Sequence, residues 1–195
     1  MRREWFLPPG QRPFAGLDQP LPIGHDQTNS QPTTVRHCLE HLDVRPGQRV
    51  LDVGCGSAWT TALLAHLVGP DGDVTGVEVV PELVAFGRAN LEPLGLDPDH
   101  VRVEQALPDA LGWPARAPYD RVLVSAEASE LPDALVAQLA DDGVLVVPVA
   151  GRLTVATLGP DRRVEVRRLG RYRFVPLRPP VPGPKHRAPP PWRSR

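Results

Sequence analysis

The residues best suited to chemistry lie in one stretch, Val50–Ala65, which reads VLDVGCGSAWTTALLA. Val50–Val53 has the apolar character of a short buried strand, and it contains a single acid, Asp52. Gly54-Cys55-Gly56 then breaks the strand, and a helical pattern begins near Ser57. A strand, a glycine turn and a helix form the cradle in which doubly wound α/β domains hold nucleosides, because glycine lets the backbone approach a ligand closely.

This turn favours S-adenosylmethionine over a dinucleotide. The G-x-G-x-x-G fingerprint needs its third glycine at position 59, where this chain has Trp59. The shorter acid-x-Gly-x-Gly form suits a ligand without a pyrophosphate, and S-adenosylmethionine is the commonest such ligand. Glu78 follows at the distance, about twenty residues, where such domains bind a ribose diol, and Val79 comes next to it. A tight turn that binds nothing is the alternative.

Composition excludes several classes of protein. The 195 residues are enough for one domain with a buried core, and the net charge of −1 gives no indication of a nucleic-acid partner. The sequence has no apolar run of membrane-spanning length and no leader pattern, so we expect a cytoplasmic protein, and we expect a monomer. Cys38 and Cys55 have no metal-type neighbours, which indicates free thiols and no metal site.

Alternating strand and helix patterns predict a mostly parallel sheet. Ser30 is a suitable N-cap for a helix with Pro32 in its first turn, and a further helix is predicted over Pro132–Ala140. Two C-terminal runs, Leu153–Leu158 and Val164–Phe174, predict an antiparallel pair. The five preceding strands are predicted at Val50–Val53, Asp73–Val80, Val101–Gln105, Arg121–Ser125 and Val144–Val149.

The two ends of the chain differ from its middle. Residues 1–24 contain five prolines and no sustained period, which predicts an arm lying over the domain and anchored by Trp5 and Phe6. Residues 178–195 are basic, rich in proline and without acids, a composition typical of a disordered tail. The domain itself is therefore expected to span residues 25–177.

Nine stretches of the chain, in the same order, resemble the protein-L-isoaspartate O-methyltransferases. Each is weak evidence alone, and their collinearity over about residues 20–177 is strong evidence. They are Leu21–Gly24 (LPIG), Gln27–Pro32 (QTNSQP), Val50–Trp59 (VLDVGCGSAW), Leu67–Gly72 (LVGPDG), Gly112–Pro114 (GWP), Ala117–Asp120 (APYD), Leu131-Pro132, Val147–Val149 and Arg173–Leu177 (RFVPL).

The resemblance implies a doubly wound, Rossmann-like class I methyltransferase with a seven-stranded, mostly parallel sheet. It implies S-adenosylmethionine as cofactor and methyl transfer to the free carboxylate of isoaspartyl residues in damaged proteins or peptides. The family's active-site serine falls on Ser30, and Gln27, Thr28 and Asn29 belong to its substrate segment. Its glycine-motif and ribose positions fall on Asp52, Gly54, Gly56 and Glu78.

Departures from the family cluster on the substrate side. His25-Asp26 stands where the family has a small or aromatic residue followed by glycine or asparagine, and Asn29 replaces an apolar residue. The loop after the fourth strand contains Glu127 in place of alanines, and Arg152 stands near a usual glutamine. The family's Gly-Asp-Gly, whose acid holds the adenine amino group, is absent, so that Asp109 or Gln105 takes this role.

The implied chemistry needs no general base, because a carboxylic acid is already ionised at neutral pH. Ser30 would orient the substrate carboxylate. If Glu127 faces the pocket, it would repel that carboxylate by roughly 1–4 kcal/mol at about 4 Å; the alternative is that Glu127 points to solvent. Arg152 would either neutralise Glu127 or pair with a different substrate carboxylate. Two other functions stay open: methylation of a normal aspartate or other carboxylate in a dedicated peptide, leading to a succinimide, and a non-catalytic nucleoside-binding module.

Overall fold

The computed structural model describes residues 1–178, which begin with an arm packed against the domain. Phe6 of this arm is fully buried, as predicted for an anchor, whereas Trp5 is 46% exposed, so the prediction for Trp5 is wrong. The arm contains two short 3-10 helices, Arg3–Phe6 and Pro9–Phe14, and the strand β1 (Leu21–Gly24). This strand forms an antiparallel hairpin with β2 (Gln27–Asn29), which belongs to the domain.

The first α-helix, α1 (Pro32–Leu42), is capped by the arm and not by Ser30. Its N-cap residue is Gln31, whose side chain makes no capping hydrogen bond. The carboxylate of Asp18 instead accepts hydrogen bonds from the backbone N–H of Thr33 at 2.9 Å and from the Thr33 hydroxyl at 2.7 Å. The predicted N-cap role of Ser30 is therefore wrong, because an acid thirteen residues upstream of Gln31 occupies the helix end.

Within residues 1–178, seven further strands form one sheet in the order β5-β4-β3-β6-β7-β8-β9. The first five strands are parallel, and the last two form antiparallel pairings at one edge. The strands are β3 (Arg49–Val53), β4 (Asp73–Glu78), β5 (Val101–Gln105), β6 (Tyr119–Val124), β7 (Leu139–Val149), β8 (Arg152–Leu158) and β9 (Val164–Arg171), and the other α-helices are α2 (Trp59–Val68), α3 (Pro81–Leu91) and α4 (Asp133–Val136).

This topology confirms the predicted doubly wound, mostly parallel sheet with an antiparallel C-terminal pair. Strand order reverses between β3 and β6, since β4 and β5 lie on one side of β3 and all later strands lie on the other. In open α/β sheets, ligands bind at the carboxyl ends of the strands that flank such a switch point. The carboxyl end of β3 is the glycine turn.

Both faces of the sheet are covered by apolar packing. In β3, Val50 belongs to a buried cluster with Leu64 of α2, whereas its neighbour Leu51 packs with Leu135 and Leu139. Successive side chains of a strand point to opposite faces, so a parallel strand covered on both sides is almost continuously apolar. No helix within residues 1–178 is long and apolar enough to cross a membrane.

The predicted helix over Pro132–Ala140 is too long by more than a turn. The helix ends at Val136, and β7 already begins at Leu139. The cause is Gln138, whose backbone carbonyl accepts from Tyr119 N–H at 2.8 Å, while its buried side chain binds the backbone of the loop before β6. These long-range hydrogen bonds pull the chain out of the helix and into the sheet.

Candidate active site

A cavity of about 340 Å³ opens at the switch point. Its floor is the glycine turn after β3, and its walls come from the ends of β4, β5 and β6, from the β1–β2 hairpin and from the segment after β9. The volume is within the range of about 300–1,000 Å³ that is typical of small-molecule sites.

The glycine turn is locked in a conformation that requires glycine. Gly54 and Gly56 have φ values of +75° and +54°, in the left-handed region that other residues rarely adopt. The N–H groups of Gly54 and Cys55 both donate to the Val77 carbonyl, at 2.8 and 3.2 Å. A Cβ on Gly56 would lie 3.1 Å from Cδ1 of Ile23, which also lines the cavity. The turn therefore presents bare backbone to whatever the cavity holds.

Glu78 is a buried carboxylate with a fixed orientation on this cavity. Its Oε1 accepts from the N–H groups of Val79 and Val80 at 2.7 and 2.9 Å, and its Oε2 accepts from the N–H of Gly56 at 3.0 Å. An ionised carboxylate accepts about four hydrogen bonds, so the three backbone donors leave acceptor capacity for a ligand hydroxyl. Val79 and Ser57 also line the cavity.

Asp52 lies behind the glycine turn, and it does not line the cavity, contrary to the expectation of direct cofactor contact. Its Oδ2 accepts from the hydroxyls of Thr60 and Thr61 at 2.7 and 2.8 Å, while Oδ1 has no partner among the described residues. Burial, with a smaller contribution from the nearby Glu78, raises the pKa of Asp52 to about 6 against the opposing effect of the two hydroxyls. Asp52 therefore links the end of β3 to the first turn of α2 on the side of the glycine turn away from the cavity.

The predicted substrate segment forms the opposite wall. Gln27, Thr28, Asn29 and Ser30 all line the cavity. The Ser30 hydroxyl makes no hydrogen bond to the described residues, so it can donate to a ligand. The amide of Asn29 is engaged on both sides: Oδ1 accepts from Arg3 Nε–H at 2.7 Å, and Nδ2 donates to Ser57 Oγ at 3.2 Å.

Of the two residues proposed to hold an adenine amino group, only Gln105 lines the cavity. Its Nε2 donates to the backbone carbonyls of Val79 and Glu78 at 2.9 and 3.3 Å, which leaves its amide oxygen as an acceptor. Asp109 is exposed and does not line the cavity, although its chain neighbours Pro108 and Ala110 do.

Glu127 and Arg152 are not brought into the cavity. The backbone of Glu127 connects the loop after β6 to the segment after β9. Its N–H donates to the Val175 carbonyl and its carbonyl accepts from the Leu177 N–H, both at 2.7 Å. The exposed Arg152 lies on β8, where its Nε–H donates to the Leu169 carbonyl at 3.3 Å. The expected partnership of these two residues around a substrate is therefore not supported by their positions.

Sequence reasoning missed many lining residues, among them Ile23, Trp59 and Ala126 near the turn and a group on the loop after β5 between Ala106 and Gly112. It also missed a continuous segment at the end of the described residues, Val175–Arg178. The RFVPL stretch was a signal for this segment, but only as a resemblance, because local pattern does not indicate that it returns to the cavity. No group of three or more potential metal ligands occurs within residues 1–178.

A doubly wound sheet with a glycine turn and a buried strand-end acid at its switch point defines a nucleoside-binding domain of the class I methyltransferase type. The sequence model of the protein-L-isoaspartate(D-aspartate) O-methyltransferase family matches residues 1–180, and the chain belongs to this family.

Relatives agree with this assignment. The chain is 46% identical over 180 residues to the protein-L-isoaspartate O-methyltransferase of Aeropyrum pernix, a match that covers 90% of this chain and 68% of that protein. With that of Methanopyrus kandleri the identity is 43%, covering 90% and 78%. A crystal structure from Plasmodium falciparum, described as the same enzyme in complex with S-adenosyl-L-homocysteine, has a TM-score of 0.77 at 26% identity and covers 90% of this chain and 85% of that one.

Proposed function

We propose that this protein is an S-adenosylmethionine-dependent carboxyl O-methyltransferase that acts on L-isoaspartyl residues of proteins or peptides. Family membership supports the reaction class. The observation that carries the assignment within this structure is a single cavity, which has the glycine turn and Glu78 on one side and Ser30 on the other.

The cofactor half of the cavity fits a nucleoside. Glu78 would accept from the ribose hydroxyls with a carboxylate whose position three backbone N–H groups already fix. Gln105 would hold the adenine amino group through its amide oxygen, in preference to the exposed Asp109. Leu107 and Pro108 would supply apolar contact for the flat base. Gly54 and Gly56 would let the rest of the cofactor approach the backbone.

When bound, S-adenosylmethionine supplies a methyl group activated by a positively charged sulfur. The protein's own task is to orient the acceptor carboxylate and to exclude its water. Ser30 would donate a charge-assisted hydrogen bond to that carboxylate, since Ser30 lines the cavity and its hydroxyl makes no hydrogen bond within residues 1–178. No residue has to remove a proton, because the substrate acid is ionised at neutral pH.

The substrate side offers little support for a different acceptor. Glu127 does not line the cavity, so a repulsion between it and a substrate carboxylate is not expected to decide specificity. We retain three finer predictions: that the protein acts as a monomer, that it has no nucleic-acid partner, and that it works in the cytoplasm. Its two cysteines, both free thiols, are typical of a reducing compartment.

The decisive experiment supplies labelled S-adenosylmethionine with two matched peptides, one containing isoaspartate and one normal aspartate. Base-labile methyl ester on the isoaspartyl peptide alone is the expected result. Ser30→Ala should lower kcat/KM by about one to two decades through loss of an orienting bond. Ser129→Ala, an exposed serine outside the cavity, is the matched control and should be neutral. Ester on neither peptide, with S-adenosyl-L-homocysteine bound, would reject the isoaspartyl assignment.

A further inference from the structure

Arg3, at the start of the arm, is a buried cation that forms no salt bridge with a carboxylate of the described residues, although the charge of Asp18 acts on it. Only 6% of it is exposed, and such burial of arginine is rare unless its donors are satisfied. Its Nε–H donates to Oδ1 of Asn29 at 2.7 Å. The guanidinium otherwise donates to backbone carbonyls, namely those of Ala15 (3.4 Å), Leu17 (3.0 Å), Gln19 (2.8 Å), Asn29 (3.1 Å) and Ser30 (2.9 Å).

Three of these six hydrogen bonds hold the wall of the active site. Arg3 binds the side chain and carbonyl of Asn29 and the carbonyl of Ser30, so it fixes the peptide units before and after Ser30. The hydroxyl of Ser30, a residue that lines the cavity, makes no hydrogen bond to the described residues. The planar guanidinium also lies over the Trp59 ring, 5.3 Å from its centroid, at the start of α2.

Asn29 continues this connection to the cofactor side. Its Nδ2 donates to the hydroxyl of Ser57, and the Ser57 carbonyl in turn accepts from Asn90 of α3 at 3.0 Å. Arg3 and Asn29 need each other, because removal of either leaves buried polar atoms of the other unpaired. This explains a polar residue at position 29, where the family usually has an apolar one.

We propose that Arg3 is a positioning residue for the methyl transfer, which, through Asn29, holds the segment Gln27–Ser30 so that the Ser30 hydroxyl faces the glycine turn. This role rests on the proposed function of Ser30. Lysine cannot replace arginine here, because an ammonium group has three donors in place of five and lacks the planar fork that reaches several carbonyls at once.

A double-mutant cycle between Arg3→Lys and Ser30→Ala tests the proposal with the isoaspartyl peptide. Arg3→Lys should lower kcat/KM for the peptide at least tenfold, with less than a threefold change in the Kd of S-adenosyl-L-homocysteine. In the Arg3→Lys background, Ser30→Ala should cost less than threefold, because the hydroxyl is already misplaced. The same factor in both backgrounds would mean that Arg3 only supports the fold, and would overturn the proposal. Arg12→Lys, an exposed arginine of the same arm with one hydrogen bond to Leu7, is the control.

Hydrogen exchange supplies a readout that does not depend on turnover. In Arg3→Lys, amides of residues 27–31 should exchange at least tenfold faster, while those of β3 and β4 keep wild-type rates. Unchanged exchange at 27–31 would overturn the positioning role whatever the substrate is. The two proposals can also fail separately. If the wild type does not methylate the isoaspartyl peptide but residues 27–31 exchange faster in Arg3→Lys, the proposed function is rejected, and Arg3 is still shown to position this segment. If Arg3→Lys does not fold, Asn29→Ala, which removes the side-chain acceptor of Arg3, replaces it in the double-mutant cycle with Ser30→Ala.

Discussion

Replacement of Asp52 by asparagine should change how the stability of this protein depends on pH. Asp52 is fully buried beneath the glycine turn, and one of its oxygens has no hydrogen-bond partner among the described residues. Burial penalises its charged form more than the hydroxyls of Thr60 and Thr61 favour it. Asparagine keeps the shape and an acceptor for these hydroxyls, and it removes the charge.

The magnitude follows from the two pKa values of the same group. In the folded state the pKa of Asp52 is raised to about 6, whereas an unfolded aspartate has a pKa of about 3.9. Because the folded pKa is the higher one, proton binding favours the folded state. The resulting stabilisation is complete below about pH 4 and is lost as the pH rises through about 6. Between pH 5 and pH 7.5 the loss amounts to about 1.4 kcal/mol.

Urea unfolding of the ligand-free wild type and of Asp52→Asn at pH 5 and pH 7.5 measures this effect. Other groups titrate in both proteins, so their contributions cancel in the difference between the two free energies of unfolding. The wild type should lose about 1.4 kcal/mol relative to the variant between these pH values. A difference that stays constant with pH would show that Asp52 is ionised throughout, and that its hydroxyl donors compensate fully for burial.

Three further predictions concern the cofactor, the loop after β6 and the tail. Glu78→Ala should weaken binding of S-adenosylmethionine by about 1.5–3 kcal/mol in calorimetry, because it removes a charged acceptor of the ribose hydroxyls; equal affinity would remove Glu78 from the site. Glu127→Ala should leave isoaspartyl turnover unchanged, since Glu127 lies outside the cavity, and faster turnover would revive the repulsion hypothesis. Truncation after Arg178 should leave the melting temperature within about 2 °C of wild type, because composition predicts that the tail contributes no packing; a larger drop would contradict this.

The glycine turn, Glu78 and the alternation of strands with helices were predictable because their signals are local. Gly54 and Gly56 interrupt an apolar run, and their positive φ values are the reason for glycine at these positions. Glu78 closes the next apolar run, and the doubly wound topology places consecutive strand ends side by side. Periodicity and spacing were sufficient for this part of the site.

The remainder depends on residues that are distant in the sequence. Gln138 leaves a helical pattern because Tyr119, nineteen positions earlier, needs its carbonyl. The N-terminus of α1 is capped by Asp18 in place of Ser30. Arg3 donates a hydrogen bond to the carbonyl of Ser30, which is 27 positions later in the sequence. Such long-range contacts leave no periodic pattern in the sequence, so the roles of these side chains can be assigned only from the tertiary structure.

These long-range contacts also change the interpretation of the substrate side. His25 and Asp26 form the exposed tip of the β1–β2 hairpin, with φ values of +54° and +58°, and neither lines the cavity. Asn29 does line it, but both polar atoms of its amide are already bound to Arg3 and Ser57. The departures from the family pattern therefore alter how the arm and the glycine turn hold the substrate segment. They leave Gln27, Thr28 and Ser30 as the polar groups of that wall, which is why a changed position 29 does not imply a changed acceptor.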